Sequence, residues 1–454
     1  MSWKKDYQSK LVSADKAVAG ITSDSVVVMS GGCSAPPALV SALCKRKDEL
    51  KNVTLISGIS VYPFEFYKTE FKGHIDFRCL FMGPAERIAM KMKANIQPIS
   101  FHLSQSDYIV YETEKMLGHL DVMMCEVSEP DSRGYMSYGP NGVHNNDTVA
   151  KVVNNIIVQV NKETPFVHGI KNVIHVSEVT HIVEESHPLP EIPQIPITDV
   201  ERKIGELIAE RIPDGATIQI GVGGVSDTVG ELLEHKKDLG IHSEMLTNSM
   251  MHLTEKGVVT GKKKTYRPGK IVCGFAIGSK ELYDFIDNNP VCEFSPIAEI
   301  NSVFNIAQND NFVSVNNILN ADLTGQCASE SIGFQQISGT GGQLDFVRGA
   351  GLSKDGMSFL AMPSVRETKN GPASRIVSAM MPGTVITTPR SDVHYIVTEY
   401  GVANLKMRSI PERVRAMIGI AHPDFRDQLT REAVENGLLE QSIHTVPASL
   451  ESTG

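Results

Sequence analysis

Short apolar runs separated by amphipathic stretches occupy the first part of the chain. Five runs have the length and the turn-rich flanks that are typical of buried strands, at residues 26–30, 53–57, 122–127, 156–160 and 173–176. Between several of them, apolar positions recur at helical spacing, for example over residues 14–21 and 37–44. Strand and helix signals in alternation predict an open α/β sheet with helices on its faces.

The same order of elements returns later in the chain. Residues 14–43 predict a helix, a turn, a strand followed by Gly31-Gly32, and a second helix. Residues 200–233 predict the same series, with a strand followed by Gly221-Val222-Gly223-Gly224. The matching order and spacing favour two related α/β halves. The alternative is that unrelated segments share a common arrangement of helix, turn and strand.

A proline-rich stretch separates these halves. Four prolines lie between Pro188 and Pro196, a density that is incompatible with a helix or a central strand. We therefore predict an N-terminal α/β domain at residues 1–187, a linker at 188–197 and a C-terminal α/β domain at 198–454. The C-terminal domain is expected to contain strands at 270–275, 312–319, 358–362 and 395–397 and helices at 279–286, 411–420 and 423–435.

Composition and charge narrow the class of protein. The chain has 454 residues, of which 41% are hydrophobic and 21% charged, with a net charge of -10. This balance excludes a disordered or collagenous chain, and it argues against nucleic-acid binding, which needs a basic face. We expect neither a signal peptide nor a membrane span, because no apolar run is long enough. Seven cysteines without regular spacing predict a reduced, cytoplasmic protein with mostly buried thiols.

A glycine-rich turn, Gly221-Val222-Gly223-Gly224-Val225, follows a predicted strand and precedes a predicted helix. The free N–H groups at a helix N-terminus favour an anion, and glycines let a ligand approach the backbone closely. The turn also approaches the dinucleotide-binding pattern, with Ser226 in place of its third glycine, so an NAD-dependent oxidoreductase is one alternative. A structural turn without a ligand is another.

Glu244 closes an apolar run that begins at Leu239, at the sheet edge where α/β proteins usually bind ligands. A carboxylate in this position could act as a base, a ribose ligand or a nucleophile. Most glutamates are instead exposed or ion-paired, and a lone His242 is more often a satisfied side chain than a catalyst.

Two further clusters could contact an anion. Residues 337–346 are glycine-rich and offer N–H donors to a carbonyl or phosphate oxygen, although a flexible turn would have the same composition. Lys262-Lys263-Lys264, with Arg267 and Lys270, forms a basic patch that either meets a polyanion or lies in a solvated loop. The spacing of His, Cys and acidic residues indicates no metal site.

In combination, the motifs resemble the acetyl-CoA hydrolase/transferase family, and within it the bacterial 4-hydroxybutyrate and butyryl-CoA:acetate CoA-transferases. The resemblance extends from about Trp3 to about Leu438, and it depends on five segments: Gly221-Val222-Gly223-Gly224-Val225, His242-Ser243-Glu244-Met245, residues 338–348, Thr398-Glu399-Tyr400-Gly401 and Ala421-His422-Pro423-Asp424-Phe425. It implies two related α/β domains with the active site between them.

The resemblance also implies roles for individual residues. Glu244 matches the glutamate that carries the covalent intermediate, and Asn301 matches an asparagine that stabilises the oxyanion. The implied coenzyme A contacts are Gly221, Val222, Gly223, Gly224, Val225, Leu319, Gly341, Gly342 and Lys369. One position departs from the family, because relatives often have lysine where this chain has Glu367. Either Lys369 or Arg366 replaces that contact, or the contact is absent.

The implied reaction moves CoA from a short-chain acyl-CoA, such as butyryl- or 4-hydroxybutyryl-CoA, to a free carboxylate such as acetate. It is expected to follow ping-pong kinetics through a glutamyl-CoA thioester on Glu244. Acyl-CoA hydrolysis is the close alternative. Acyl-CoA and a carboxylic acid would be substrates, with no permanently bound cofactor or metal and no nucleic-acid or membrane partner. A homodimer or larger homo-oligomer is expected because such assemblies are common.

Overall fold

The computed structural model describes residues 3–141, 146–193, 196–221 and 223–440. Within these ranges, each half of the chain forms one large sheet whose neighbouring strands are parallel, except at the last strand of the second sheet. The predicted fold class, two α/β units, is confirmed.

The first half contains the following strands and helices. The strands are β1 (Val26–Met29), β2 (Val53–Ser57), β3 (Ile75–Cys79), β4 (Ile96–Pro98), β5 (Val122–Val127), β6 (Tyr135–Ser137), β7 (Asn155–Val160), β8 (Val173–His175) and β9 (His181–Glu184). The helices are α1 (Trp3–Lys10), α2 (Ala14–Ala17), α3 (Pro37–Lys45), α4 (Pro84–Lys91), α5 (Ser106–Leu117) and α6 (Asn146–Val152).

The second half is longer. Its strands are β10 (Thr217–Ile220), β11 (Gly240–Leu246), β12 (Ile271–Ala276), β13 (Cys292–Phe294), β14 (Phe312–Asn317), β15 (Asn320–Asp322), β16 (Cys327–Ala328), β17 (Ser331–Ile332), β18 (Gln335–Gln336), β19 (Met357–Ala361), β20 (Val365–Thr368), β21 (Gly371–Ser374), β22 (Ile376–Val377), β23 (Tyr395–Thr398) and β24 (Gly401–Asn404). Its helices are α7 (Asp199–Ala209), α8 (Gly224–Leu232), α9 (Asn248–Glu255), α10 (Lys280–Ile286), α11 (Ile297–Ile300), α12 (Val303–Ala307), α13 (Gln343–Leu352), α14 (Ile410–Ile420) and α15 (Pro423–Glu435).

The two large sheets share one strand order. Across the described residues, the first sheet runs β4-β3-β2-β1-β5-β7-β9 and the second runs β13-β12-β11-β10-β14-β19-β23-β24. If the strands of each sheet are numbered 1, 2, 3 and so on along the chain, both sheets have the spatial order 4-3-2-1-5-6-7, and the second adds an eighth strand at its end. This shared order confirms that the two halves are related, as the order and spacing of the predicted elements indicated. The two halves share few identical residues.

Local sequence accounts for many of the element boundaries. Helix α15 has Pro423 at its first turn, where the missing N–H group costs nothing, and it coincides with the predicted 423–435. Thr198 and Glu201 form a capping box at the start of α7. Strand β5 is buried at every position because helices cover both faces of a parallel sheet.

The thiols lie in the interior, as predicted. All seven cysteines are free and buried: Cys33, Cys44, Cys79, Cys125, Cys273, Cys292 and Cys327. Cys33 contacts the hydroxyl of Tyr283 in the second half, with its sulfur 3.1 Å from the oxygen.

The halves are also joined through backbone hydrogen bonds. Residues 168–170 of the first half pair with β13, the edge strand of the second sheet. Phe294 N–H donates to the His168 carbonyl at 3.0 Å, and Ile170 N–H donates to the Phe294 carbonyl at 2.8 Å. The second sheet is thereby extended by a segment from the other half.

Candidate active site

Glu244 lies in β11, an interior strand of the second sheet between β10 and β12. The strand continues to Leu246, two residues beyond the predicted end. Side chains two positions apart in a strand share a face, so Glu244 and His242 point the same way. Glu244 is partly buried, whereas its neighbours His242 and Ser243 are fully buried.

The carboxylate of Glu244 meets two other predicted site residues. Asn301 Nδ2 donates to Glu244 Oε2 at 3.0 Å, and the backbone N–H of Gly342 also donates to this carboxylate. Gly342 caps the N-terminus of α13, so the carboxylate faces the positive end of that helix. A Cβ at Gly342 would overlap both Glu244 Oε2 and Asn301 Nδ2. Glycine is therefore the residue that this close contact allows.

Asp345 links this cluster to the first half of the chain. Its Oδ2 lies 3.5 Å from Asn301 Nδ2. The same carboxylate accepts from Ser104 N–H at 3.1 Å and from Ser104 Oγ at 2.7 Å. Since Ser104 belongs to the first half, the candidate site lies where the two halves meet.

Opposing effects set the protonation of Glu244. The pKa of Glu244 is raised to about 7, chiefly because the carboxylate is removed from water; the nearby charge of Asp345 also raises it, whereas the hydrogen bonds from Asn301 and Gly342 lower it. Burial also raises the pKa of Asp345. A poorly hydrated carboxylate that ionises near neutral pH is suited to nucleophilic attack.

His242 is buried next to the site and contacts the residue that precedes Asn301. Its Nε2 lies 2.8 Å from the Ile300 carbonyl, and Asn309 Nδ2 lies 3.2 Å from its Nδ1. Because the amide donates to Nδ1, the ring hydrogen is on Nε2 and is donated to the carbonyl directly before Asn301. Burial lowers the pKa of His242 to about 3, so the ring is neutral. Both ring nitrogens of His242 therefore have hydrogen-bond partners, which is the structural role that we considered more common than catalysis for a lone histidine.

The glycine-rich turn follows β10 on the same sheet edge. Gly221 N–H donates to the Val315 carbonyl at 2.8 Å. Gly223 has φ +123, a conformation that favours glycine, and it caps α8. Val225 is buried in the first turn of α8, and Val222 lies outside the described residues.

Acidic groups surround the N-terminus of α8. A Cβ at Gly224 would overlap the carboxylate of Glu201, so that side chain lies against the turn. Asp227, in the first turn of the helix, has a pKa raised to about 6 by burial and by the charges of Glu231 and Glu201. Any anion on this turn would meet nearby carboxylates.

The remaining predicted contacts are more dispersed. Gly341 has φ +64, and its carbonyl accepts from Leu103 N–H at 3.3 Å. Leu319 follows β14, and its N–H is already donated to the Ala328 carbonyl. Lys369 is exposed in the turn between β20 and β21, and Glu367 is exposed on β20. Gly341 therefore adjoins the cluster at Glu244, whereas Lys369 makes no described contact with it.

Only part of the basic patch is exposed: Lys262 and Lys263 are at the surface, whereas Lys264 and Arg267 are engaged within the protein. Lys264 is buried and donates to the carbonyls of Ile241 at 2.7 Å and Lys270 at 2.8 Å. Arg267 forms ion pairs with Glu293 and Glu299. This loop leads into the start of β12, at the edge of the sheet opposite the turns that follow the strands.

Sequence reasoning missed Asp345 and Ser104. Asp345 could have been predicted from the sequence, because it follows Gly342 by three residues in the first turn of a helix, where an acidic side chain is typical. Ser104 carries no such signal, since its role depends on how the halves come together. Among the described residues, no group of His, Cys, Asp and Glu could hold a metal ion, and no helix has the length and apolarity to cross a membrane.

Comparison with known proteins gives matches along most of the chain. Residues 1–193 match the acetyl-CoA hydrolase/transferase N-terminal domain, and residues 278–433 match the C-terminal domain of the same name. The 4-hydroxybutyrate coenzyme A transferase of Clostridium kluyveri is 43% identical over 435 residues, covering 95% of this chain and 99% of that protein. The butyryl-CoA:acetate CoA-transferase of Anaerostipes caccae is 38% identical over 443 residues, covering 95% and 98%.

A solved structure shows the same architecture. The crystal structure of RipA from Yersinia pestis matches with a TM-score of 0.88 and 35% identity, over 97% of this chain and 100% of that chain.

Proposed function

The chain belongs to the acetyl-CoA hydrolase/transferase family, and we propose that it is a CoA-transferase that moves CoA from a short-chain acyl-CoA to a free carboxylate such as acetate. The observation that carries this proposal is the partly buried Glu244 carboxylate, with hydrogen bonds from Asn301 and Gly342, at the boundary between the halves. The names of the two relatives support butyryl and 4-hydroxybutyryl groups as the acyl part.

The proposed reaction begins with the ionised Glu244. A carboxylate oxygen attacks the thioester carbonyl of acyl-CoA, the C–S bond breaks, and CoA leaves as a thiolate. The product on the protein is a mixed anhydride between Glu244 and the acyl group. Forming a covalent intermediate divides a difficult transfer into easier steps.

The thiolate then attacks the Glu244 carbonyl carbon of the anhydride. The first acid leaves as a carboxylate, and a glutamyl-CoA thioester remains on the protein. A second carboxylate reverses these steps and leaves as the new acyl-CoA, which restores Glu244. No proton is gained or lost overall, and the energy of the thioester is retained.

Asn301 and Gly342 are the proposed oxyanion donors. Both already donate to the Glu244 carboxylate, so they are placed to stabilise negative charge on its oxygen during attack at the glutamyl carbon. Loss of one such donor typically costs about 2.7 to 4 kcal/mol in transition-state stabilisation.

We further propose that residues 1–187 and 198–454 act as the two domains and that residues 188–197 link them. We also propose that the protein forms a homo-oligomer.

The test uses butyryl-CoA and 4-hydroxybutyryl-CoA as donors and acetate, propionate and butyrate as acceptors, with CoA products identified by mass. Wild type is expected to exchange CoA and to acquire a CoA-sized mass on the peptide that contains Glu244. Glu244→Gln should lose both, and the exposed Glu255→Gln should lose neither. Thioester loss that is equally fast without an acceptor would instead indicate a hydrolase.

A further inference from the structure

CoA carries several phosphate charges, and the structure restricts where they can be bound. The protein has a net charge of -10, so its overall field does not attract a polyanion. The turn at Gly223 and Gly224 has Glu201 and Asp227 close by. The basic patch lies at the opposite edge of the sheet, with Lys264 buried. A phosphate-binding group is therefore needed elsewhere on the edge that holds Glu244.

Two arginines on that edge lack acceptors for their hydrogen atoms. Arg366 lies in β20, and Arg375 lies between β21 and β22. Both are partly buried, and the Nε atom of each is buried without a hydrogen-bond partner. Across the chain that the structure describes, no hydrogen bond or ion pair joins either guanidinium to another residue. A partly buried guanidinium without an acceptor is unusual, because each has five N–H donors.

The two guanidinium groups are near enough for their charges to interact. The pKa of Arg375 is lowered, first by burial and then by the positive charge of Arg366. Glu399 is the acidic group that faces Arg375, but its oxygens already accept from Ser364 N–H at 2.9 Å and from Ser364 Oγ at 2.5 Å. The cluster therefore holds two positive charges against one engaged carboxylate, and a bound anion would relieve the repulsion.

Backbone contacts place this pair beside the predicted ligand segments. Ala321 N–H donates to the Arg375 carbonyl at 3.0 Å, and Ala321 is two residues beyond Leu319. Strand β19, which leads into β20, is three positions from β11 in the sheet, or about 14 Å at ordinary strand spacing. The pantetheine arm separates the sulfur of CoA from its phosphates by an extended chain of comparable length.

We propose that Arg366 and Arg375 together bind a phosphate group of the CoA moiety, an assignment that rests on the proposed function. Guanidinium groups suit this role because they donate two parallel hydrogen bonds to phosphate oxygens and remain charged when partly buried. Glu367 lies on the other face of β20 from Arg366, so its acidic side chain does not enter the subsite.

The test measures the dissociation constant of CoA by calorimetry and the steady-state constants of transfer for Arg366→Gln, Arg375→Gln and the double variant. The dissociation constant of CoA and the KM of acyl-CoA should rise at least about tenfold, with kcat and the KM of acetate unchanged. Arg375→Lys should recover only part of the affinity. The control is Arg408→Gln, an exposed arginine paired with Glu412.

Dephospho-CoA identifies which phosphate is bound. If the pair binds the 3′-phosphate, the variants lose affinity for CoA but not for dephospho-CoA; if it binds the pyrophosphate, they lose both equally. Unchanged affinity for CoA, or a rise only in the KM of acetate, would overturn the proposal. A wild type that binds CoA more tightly than the variants but exchanges no acyl groups would instead refute the transferase function and leave the subsite standing.

Discussion

At the residue scale, Glu244 is held between two opposing influences. Removal from water favours its protonated form, whereas the donors from Asn301 and Gly342 favour the carboxylate. The balance leaves its pKa about 7, against a usual 4.5. The carboxylate proposed as the nucleophile is therefore poorly hydrated yet ionises near neutral pH, and its charged form lowers the stability of the fold.

Because the charged form of Glu244 destabilises the folded protein, Glu244→Gln should change the free energy of unfolding in a pH-dependent way. Between pH 4.5 and about 7 the unfolded chain releases the Glu244 proton while the folded protein keeps it, so stability falls as pH rises. Relative to wild type, the glutamine variant should gain up to about 3 kcal/mol between pH 4.5 and pH 8. Chemical denaturation at several pH values measures this, and parallel curves for the two proteins would contradict it.

Asp345 predicts a second pH effect, this time on catalysis. Its charge is among the causes that raise the pKa of Glu244, so Asp345→Asn should move the acid limb of the kcat/KM profile to lower pH. The exposed Asp284→Asn serves as the control and should leave the profile in place. An acid limb that stays in place or moves to higher pH in Asp345→Asn would contradict the view that the charge of Asp345 raises the pKa of Glu244.

At the scale of elements, the site depends on helix α13 beginning directly against β11. Gly342 provides both the cap of this helix and the N–H group that reaches Glu244. His242 fixes the end of α11 through the Ile300 carbonyl, which positions Asn301 on the other side. Two short helices and one strand thus bring together residues that are far apart in sequence.

Gly342→Ala should therefore impair catalysis with little loss of folding. The added methyl group would overlap Glu244 Oε2 and Asn301 Nδ2, so we expect kcat to fall about a hundredfold or more, comparable to loss of an oxyanion donor. Gly351→Ala, in the same helix with open space around it, is the matched control. Activity within a few-fold of wild type for Gly342→Ala would contradict this arrangement.

At the scale of the whole molecule, the second half contains Glu244, the proposed nucleophile, and the first half completes its surroundings. Ser104 holds Asp345, and Leu103 N–H binds the Gly341 carbonyl. Residues 168–170 add to the edge of the second sheet at β13. The relative placement of the halves is therefore part of the site.

Gly169→Ala tests this dependence. A Cβ at Gly169 would overlap the backbone of Phe294, so the pairing between residues 168–170 and β13 would have to open. We expect a lower thermal midpoint, together with reduced kcat, because Ser104 would lose its position over Asp345. Gly20→Ala, where a Cβ meets nothing within 4 Å, should match wild type in both measurements. Full activity in Gly169→Ala would show that the site tolerates movement of the halves.

Much of this organisation was predictable from the sequence. Periodicity and turn chemistry identified β2 and α15 to the residue, because hydrophobic spacing and a proline at the first turn act over a few neighbouring positions. The recurrence of helix, strand and glycine pair indicated two related halves. Glu244, Asn301 and Gly342 came from family resemblance; the structure brings them into contact, and their roles stay a prediction.

The sequence by itself determined the fold class, the repeat and the identity of the candidate nucleophile, since these depend on local patterns and on motifs that can be read along the chain. Only the tertiary structure decided which groups surround that nucleophile. Ser104 and Asp345 meet across the two halves, Lys264 is buried rather than solvated, and the charges of Arg366, in β20, and Arg375, between β21 and β22, interact. The physical reason is that burial and charge interactions depend on distances in space, which sequence separation does not encode.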